Sequence, residues 1–319
     1  KMSEMKTLYT ECFYDYLSFE GSDAVDLLGR LSTGDLRPLH QPMISGLTAF
    51  TTNQGKMLDW CIALSTEDGF MLRCSKGRGP KIKEWVEKYI IMEDATIRDV
   101  SSEFKSYALL NTQDAGAFGL EKWPAWGQLA SSQDALFIGC LSAWGARSEL
   151  VVPEDKSTLW LERFESLGIK PASAQTMEYA RLVAGVPSDD FEFAREVNPL
   201  ELRLADSSIC FDKGCYIGQE VIARMDSYDK TVRVLMGFEC DSELVLDAAM
   251  RLREDGKSVG KITSLLNKDG KSIGLAVVQK DSAKPGELEI PISVCFCQAA
   301  KLFEATDEHK RLEPKTLIL

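Results

Sequence analysis

Residues suited to a metal cage or to histidine catalysis are scarce in this sequence. It has two histidines, and none of its nine cysteines forms a C-x-x-C pair with another. A closed zinc or iron–sulfur cage is therefore poorly supported, and we expect no resident metal. Scattered cysteines in apolar runs usually behave as small buried residues, which fits a reducing compartment and predicts a cytoplasmic protein. The nine are Cys12, Cys61, Cys74, Cys140, Cys210, Cys215, Cys240, Cys295 and Cys297.

Positive charge and long apolar runs are also in short supply. The formal net charge of −12 opposes the phosphate attraction on which nucleic-acid affinity depends, so we expect no nucleic-acid partner. Residues 1–12 contain no continuous apolar region, and no run of about 18 uncharged apolar residues occurs, which predicts neither a signal peptide in this stretch nor a membrane partner. No glycine-rich dinucleotide fingerprint or P-loop follows a predicted strand. What remains is an ordinary globular composition, 45% hydrophobic over 319 residues, enough for two or three domains.

The first half of the chain alternates helical and strand patterns. Residues 24, 27, 28 and 31 are apolar at helical spacing after Ser22, and Pro80 opens a second apolar-faced helix. Between them, residues 47–52, 57–65 and 69–75 are β-rich runs separated by turn residues, as in an antiparallel meander. Strand-like runs return at 107–110, 135–139 and 149–152, before a helix that begins after Ser157. These patterns predict an α+β fold with mainly antiparallel sheets.

Beyond residue 229 the pattern changes to short strands. They are punctuated by Asp255-Gly256, Asp269-Gly270 and Pro285-Gly286, which are turn sequences. We therefore divide the chain into an α+β region over residues 1–229 and a small β-barrel or sandwich over residues 230–319. The predicted strands span 231–240, 250–253, 259–265, 273–278 and 293–303.

Residues 211–224 contain the most informative pattern for chemistry. Gly214 and Gly218 bracket Cys215, and Gln219 begins a plausible helix, so the thiol is expected in a tight connection before a helix N-terminus. The neighbouring Lys213 and the helix dipole would lower the pKa of such a thiol. Cys215 would then be nucleophilic, redox-active or a transient metal ligand. The alternative is a small apolar residue packed in a turn.

The run Lys213-Gly214-Cys215-Tyr216-Ile217-Gly218-Gln219-Glu220 resembles the signature of the YgfZ-type folate-binding proteins. These are relatives of the glycine-cleavage T-protein, an aminomethyltransferase, and their mitochondrial members assist iron–sulfur protein maturation. Weaker segments agree in the same order along the chain. They are Gly21-Ser22-Asp23-Ala24, Leu31-Ser32-Thr33-Gly34-Asp35-Leu36, Asn53-Gln54-Gly55-Lys56, Arg181-Leu182-Val183-Ala184-Gly185-Val186-Pro187 and Asn198-Pro199-Leu200-Glu201.

The resemblance implies a ring of two interleaved α+β units plus a C-terminal barrel around a central cavity that binds tetrahydrofolate. Glu201 stands where the T-protein glutamate holds the pterin, and a carboxylate can accept two parallel N–H bonds from that ring. Arg181 and Arg224 are the candidate cations for the folate carboxylates, because a guanidinium matches a carboxylate bidentately. Tyr216, within the signature, is a further candidate folate contact. The implied partners are folate and iron–sulfur proteins or their assembly factors, and the resemblance favours a monomer.

One departure from the family pattern bears on the reaction. Aligning the T-protein's catalytic aspartate segment with residues 55–60 puts Trp60 at the catalytic position, and strand alternation turns Asp59 to the opposite face. We therefore favour an accessory protein for iron–sulfur assembly or repair, with Cys215 as the thiol. A one-residue slip would instead make Asp59 the acid of a tetrahydrofolate-dependent aminomethyltransferase. A third alternative is a scaffold that no longer binds folate.

Overall fold

The computed structural model describes residues 7–110, 114–139, 148–188, 192, 197–245, 251–284, 286–293 and 296–304, the last two ranges as backbone. The strands are β1 (Leu8–Cys12), β2 (Tyr14–Glu20), β3 (Ile44–Thr51), β4 (Met57–Ser65), β5 (Phe70–Ser75), β6 (Thr96–Asp99), β7 (Phe104–Leu110), β8 (Leu129–Ser132), β9 (Ala135–Ile138), β10 (Ser148–Pro153), β11 (Lys170–Pro171), β12 (Arg233–Cys240), β13 (Arg251–Glu254), β14 (Lys257–Lys268), β15 (Lys271–Gln279), β16 (Gly286–Ser293) and β17 (Phe296–Glu304). The helices are α1 (Ala24–Leu31), α2 (Gly79–Glu87), α3 (Ser157–Ser166), α4 (Ala174–Ala184), α5 (Ala205–Ser208) and α6 (Gln219–Ser227).

The chain forms two compact units. Unit one comprises residues 1–53, 57–173 and 208–219, and unit two comprises residues 54–56, 174–207 and 220–319. The fold is mixed α/β with several sheets, most of whose strand pairs are antiparallel. Among the described helices, none has both the length and the apolar character needed to cross a bilayer.

Unit one contains two packed sheets. The five-stranded sheet runs β3-β4-β5-β2-β6, and the six-stranded sheet runs β11-β1-β7-β10-β9-β8. Side chains from both sheets meet in one cluster, in which Ile62 and Leu64 of β4 join Ile138 of β9 and Val151 of β10. Since successive residues of a strand point to opposite faces, the alternate residues of β4 are free to pack elsewhere.

The outer faces of the two sheets are covered by helices. Leu28 and Leu31 of α1 and Val86 of α2 pack on the five-stranded sheet in a cluster that includes Cys61 and Cys74. The apolar stripe of α1 is the i, i+3, i+4, i+7 pattern visible in the sequence. On the six-stranded sheet, the aromatic residues of α3 cover a second cluster. Its members include Tyr107, Phe137, Leu150, Trp160 and Phe164.

Unit two is built around a barrel. Its strands close in the order β12-β15-β14-β13-β16-β17, every pair antiparallel. Met236 and Phe238 of β12 and Ala276 of β15 point into its core. Gly274 is required by close packing, because a Cβ there would lie 2.2 Å from the Ser264 carbonyl oxygen.

Most predicted elements are present within a few residues of their predicted bounds. The predicted helices at 24–31 and after Pro80 are α1 and α2, and the three predicted meander strands are β3, β4 and β5. The predicted strand 293–303 is wrong at its start, because Gly286–Ser293 and Phe296–Glu304 are two strands of a hairpin. Neither the two strands over residues 8–20 nor the helix Ala174–Ala184 was predicted from the sequence.

Candidate functional site

The segment over residues 208–219 carries the predicted thiol and is attached to the end of α1. The Thr33 hydroxyl donates to the Ser208 carbonyl at 2.5 Å, and the Cys210 N–H donates to the Thr33 carbonyl at 2.8 Å. Further along, the Ile217 N–H donates to the Arg30 carbonyl at 3.2 Å. Bonds at both ends of the segment therefore fix its path across the C-terminal end of α1.

Lys213 supplies the central attachment. Its ammonium group donates to the carbonyl oxygens of Gly29, Ser32 and Gly34 at 2.8, 2.5 and 2.6 Å. The last carbonyls of a helix have no partner within the helix, and α1 ends at Leu31, so Lys213 satisfies groups that the helix leaves open. Burial lowers the pKa of Lys213 to about 8.

This geometry changes the role expected for Lys213. The sequence suggested that its charge activates Cys215, but the three N–H bonds of the ammonium group go to backbone carbonyls. Its Nζ also lies 4.9 Å from the centre of the Tyr216 ring, which is buried. Lys213 therefore positions the segment, and the buried Tyr216 ring packs against that attachment.

The two glycines of the segment are not equivalent. Gly218 has a φ of 85°, in the left-handed region that favours glycine, immediately before α6 begins at Gln219. Gly214 is not among the residues with positive φ, and a Cβ placed on it would meet open space. Gly218 therefore supplies the turn before α6, whereas the backbone and surroundings of Gly214 do not require a glycine.

Cys215 is exposed at a cavity in unit one. Of the cysteines whose side chains the structure describes, Cys12, Cys61, Cys74 and Cys240 are buried and Cys210 is half-buried. The predictions for Cys140, Cys295 and the Cys297 side chain fall outside the described residues. Cys215 lines an open cavity of about 630 Å³ together with Lys213, Gly214 and residues of α1 and its flanks.

Charged side chains surround this cavity, and several are already paired. Arg30 lies 3.0 Å from Glu93, and Arg37 lies 2.8 Å from Asp35. The Ile91 N–H and the Arg30 guanidinium lower the pKa of Glu93 to about 2. The wall of the cavity near Cys215 therefore carries both acidic and basic side chains, which form ion pairs with each other.

Glu201 is buried in unit two and held from two sides. Its Oε2 accepts a hydrogen bond from the Asn198 N–H at 3.0 Å, and its Oε1 accepts one from Arg233 Nε at 3.0 Å. Its backbone is also paired, because the Leu235 N–H donates to the Glu201 carbonyl at 2.8 Å. These contacts give the carboxylate a fixed orientation, and each oxygen keeps a second lone pair.

The two arginines predicted to bind folate carboxylates differ in exposure. Arg181 is buried and donates bidentately to Glu178 at 2.9 and 2.6 Å, and its Nη1 also donates to the Val186 carbonyl at 2.8 Å. Arg224, on α6, is exposed. Arg181 is thus committed to partners within unit two, whereas Arg224 is accessible for a ligand.

Asp59 and Trp60 occupy opposite faces of β4, as strand alternation predicts. Asp59 is 1% exposed and lies on the helix-covered face, where its Oδ2 accepts a bond from the Ser75 N–H at 2.9 Å. Trp60 is half-buried on the other face, and its indole N–H donates to the Ser208 hydroxyl at 2.8 Å. Burial raises the pKa of Asp59.

Comparison with known proteins shows the fold. No family model matches the chain. It is 22% identical over 310 residues to an aminomethyltransferase of Halalkalibacterium halodurans, a match that covers 91% of this chain and 83% of that protein. It is 26% identical over 282 residues to a chloroplastic protein of Arabidopsis thaliana named as a transferase, and the match spans 83% of this chain but 63% of that protein.

A solved structure agrees over nearly the whole chain. The aminomethyltransferase T of the glycine cleavage system from Bartonella henselae superposes with a TM-score of 0.79, at 17% identity, over 94% of this chain and 86% of that one. The chain has the aminomethyltransferase fold.

Within the aminomethyltransferase fold, sequence reasoning missed two groups of residues. The charged residues around Cys215 include Arg30 of α1, Arg37 and Glu93, which come from separate parts of the chain, so no single local motif predicts that they lie together. Asp59, Cys61 and Cys74 also lie close together, and the sequence contains the information from which this could be predicted. Equal spacing from the β4–β5 turn places Cys61 opposite Cys74 once the hairpin register is known.

Proposed function

We propose that this protein binds tetrahydrofolate and supports the assembly or repair of iron–sulfur proteins, with Cys215 as the thiol that meets the client. The exposure of Cys215 at a cavity carries this proposal. A structural cysteine would be sealed in the core, as four of the six cysteines with described side chains are. The attachment of residues 208–219 to α1 holds the thiol in place without covering it.

A thiol at this position has two chemical uses in such a role. As a thiolate it can ligate iron that is in transit to a client. It can also attack a disulfide of an oxidised client, forming a mixed disulfide and releasing the client's other sulfur as a thiolate. In both cases the iron or the client is the substrate, and Cys215 supplies the sulfur that contacts it.

The residues of unit two fit a pterin at Glu201. The carboxylate is held by Asn198 and Arg233, and the two remaining lone pairs can accept N–H bonds from the 2-amino-pyrimidinone edge of the ring. Arg224, being exposed, is the candidate partner for a folate carboxylate. Arg181 is proposed to support this region through its buried bonds, and Tyr216 and Trp60 are proposed as aromatic contacts.

Replacing Cys215 by serine tests the role of the thiol. In cells that lack this protein, we expect the wild type to restore the activity of iron–sulfur enzymes and Cys215→Ser to leave it near the level of the deficient cells. Cys210→Ser is the matched control, because it changes a half-buried cysteine five residues earlier in the same segment, and it should restore the enzyme activity as the wild type does. Full restoration by Cys215→Ser would remove the thiol from the mechanism.

Replacing Glu201 by glutamine tests folate binding separately. Losing one charged acceptor of a bidentate pair should weaken tetrahydrofolate binding about 10- to 100-fold in calorimetric titration. Glu84→Gln, at a glutamate of α2 whose side chain is 74% exposed, is the control and should leave the affinity unchanged. Equal affinity of wild type and Glu201→Gln would exclude Glu201 as the pterin anchor.

A tetrahydrofolate-dependent aminomethyltransferase is the second candidate, favoured by relatives of that name over most of the chain. Asp59 would then act near the folate nitrogen, although it is buried with Cys61. Formation of methylenetetrahydrofolate by the purified protein would establish this activity and displace the first proposal. Absence of tetrahydrofolate binding at micromolar concentration would instead favour a folate-independent scaffold.

The arrangement that accompanies this proposal comes from the resemblance to YgfZ-type proteins. We propose a ring of interleaved α+β parts and the barrel around a central cavity, with a domain boundary at residues 229–230. The protein is proposed to act as a cytoplasmic monomer.

A further inference from the structure

We propose that Asp59, Cys61 and Cys74 form a binding site for a thiophilic divalent metal ion of the zinc class. The three side chains lie in unit one, on the helix-covered face of the five-stranded sheet. The proposed pterin site at Glu201 and the proposed role of Cys215 use none of these three residues. The metal site therefore does not depend on either of those proposals.

The β4–β5 hairpin brings the three donors together. Ile62 pairs with Arg73 in the antiparallel register, so Cys61 is opposite Cys74 on the neighbouring strands. Asp59 is two residues before Cys61 and therefore points to the same face of the sheet. Two thiols and one carboxylate thus converge from adjacent strands, a rigid support for a ligand set.

The distances between the donor atoms suit a tetrahedral ion. The Sγ atoms of Cys61 and Cys74 are 3.8 Å apart, and Cys61 Sγ is 3.3 Å from Asp59 Oδ2. Two sulfurs bound to zinc at about 2.3 Å, with a tetrahedral angle between them, lie about 3.8 Å apart. One donor atom from each of the three residues lies within 4.8 Å of the others.

A second observation, the hydrogen bonding of Asp59, supports a cation site here. Asp59 Oδ1 is buried and has no hydrogen-bond partner, although Asp59 is 1% exposed. Such an orphaned carboxylate oxygen costs free energy unless something satisfies it. The Ser75 N–H bond to Oδ2 holds the carboxylate in orientation, as an outer-shell contact does in metal sites. Packing as ordinary core residues accounts for the two cysteines but not for this oxygen.

Metal binding is balanced by release of protons. Each thiol gives its proton to solvent, and the resulting two thiolates and one carboxylate bind the dication, leaving one negative charge at the site. Because α1 and α2 cover the donors, the ion would enter during folding or through local opening of these helices.

The test uses the full chain, reduced, purified and exposed to cobalt(II) or zinc. We expect about one metal ion per chain and the near-ultraviolet thiolate-to-cobalt absorption of a tetrahedral site. Cys61→Ser, Cys74→Ser and Asp59→Asn should each weaken binding at least about tenfold. Cys12→Ser, which removes another buried cysteine of unit one, should leave it unchanged.

If a variant fails to fold, X-ray absorption of the zinc-loaded wild type still tests the proposal. We expect two sulfur neighbours at about 2.3 Å and the remaining neighbours to be oxygen or nitrogen. A different sulfur count, no bound metal, or binding that survives in all three site variants would overturn the proposal. A Cys61–Cys74 disulfide in the wild type, seen as a mass lower by two hydrogens after metal exposure, would also overturn it.

Discussion

Replacing Arg73 by methionine is expected to lower the free energy of unfolding by about 3–5 kcal/mol. Arg73 on β5 donates to Glu149 on β10 at 2.5 Å, and the two side chains are 9% and 0% exposed. The strands belong to the two packed sheets of unit one, so this ion pair joins them. Methionine preserves the apolar stem but leaves the Glu149 carboxylate buried without its cation. Urea denaturation at neutral pH measures the loss.

Two controls separate this effect from lost packing. The double variant Arg73→Met, Glu149→Leu should recover most of the stability, because an apolar pair of similar volume often replaces a buried ion pair at little cost. Arg98→Met breaks the exposed pair with Glu103, whose side chains are 64% and 50% exposed, and should cost less than about 1 kcal/mol. Equal losses for Arg73→Met and Arg98→Met would show that burial does not control the strength of the pair.

The predictable part of the fold is the part with strong local periodicity. The stripe of α1 and the alternating meander strands with their turn residues specify their own elements, whatever packs on them. The strands β1 and β2 are different, because residues 8–20 mix aromatic, acidic and polar side chains without clean alternation. Their pairing with β7 and β5 is long-range, and no local signal encodes it.

The thiol segment shows the same division between local and tertiary information. The position of Cys215 before a helix was predictable, since Gly218 supplies the left-handed turn that precedes α6. The partners of Lys213 were not, because Gly29, Ser32 and Gly34 lie about 180 residues away in the sequence. A lysine next to a cysteine suggested activation, whereas the open carbonyls at the end of α1 compete for the same ammonium group.

The opposite faces of Asp59 and Trp60 followed from strand alternation alone, but their surroundings did not. Alternation states that the two side chains diverge, and the layers on each side of the sheet decide what each one meets. One face receives α1 and α2, which bury Asp59, and the other receives the second sheet of unit one, beside Trp60. Strand alternation therefore predicts that Asp59 and Trp60 have different surroundings, and the packing of α1 and α2 is what buries Asp59.

Replacing Lys213 by methionine is expected to destabilise the protein by about 2–3 kcal/mol at pH 7, because three carbonyl oxygens at the end of α1 lose their donor. Urea denaturation measures the loss, and hydrogen exchange should show faster opening of residues 208–219. Lys81→Met, at an exposed lysine of α2, is the control and should change stability by less than about 0.5 kcal/mol.

The pH dependence provides a second check on Lys213. Burial lowers its folded-state pKa to about 8, below the ordinary value of about 10.4, so between these pH values the unfolded chain binds the proton more tightly. The Lys213 contribution to stability is therefore constant below pH 8 and rises as pH increases through this window. Because Lys213→Met lacks that rise, the gap between wild type and variant should widen by about 1–2 kcal/mol, allowing for partial exposure of the side chain. Parallel stability curves over this range would show that the ammonium group keeps an ordinary pKa and that burial does not act on it.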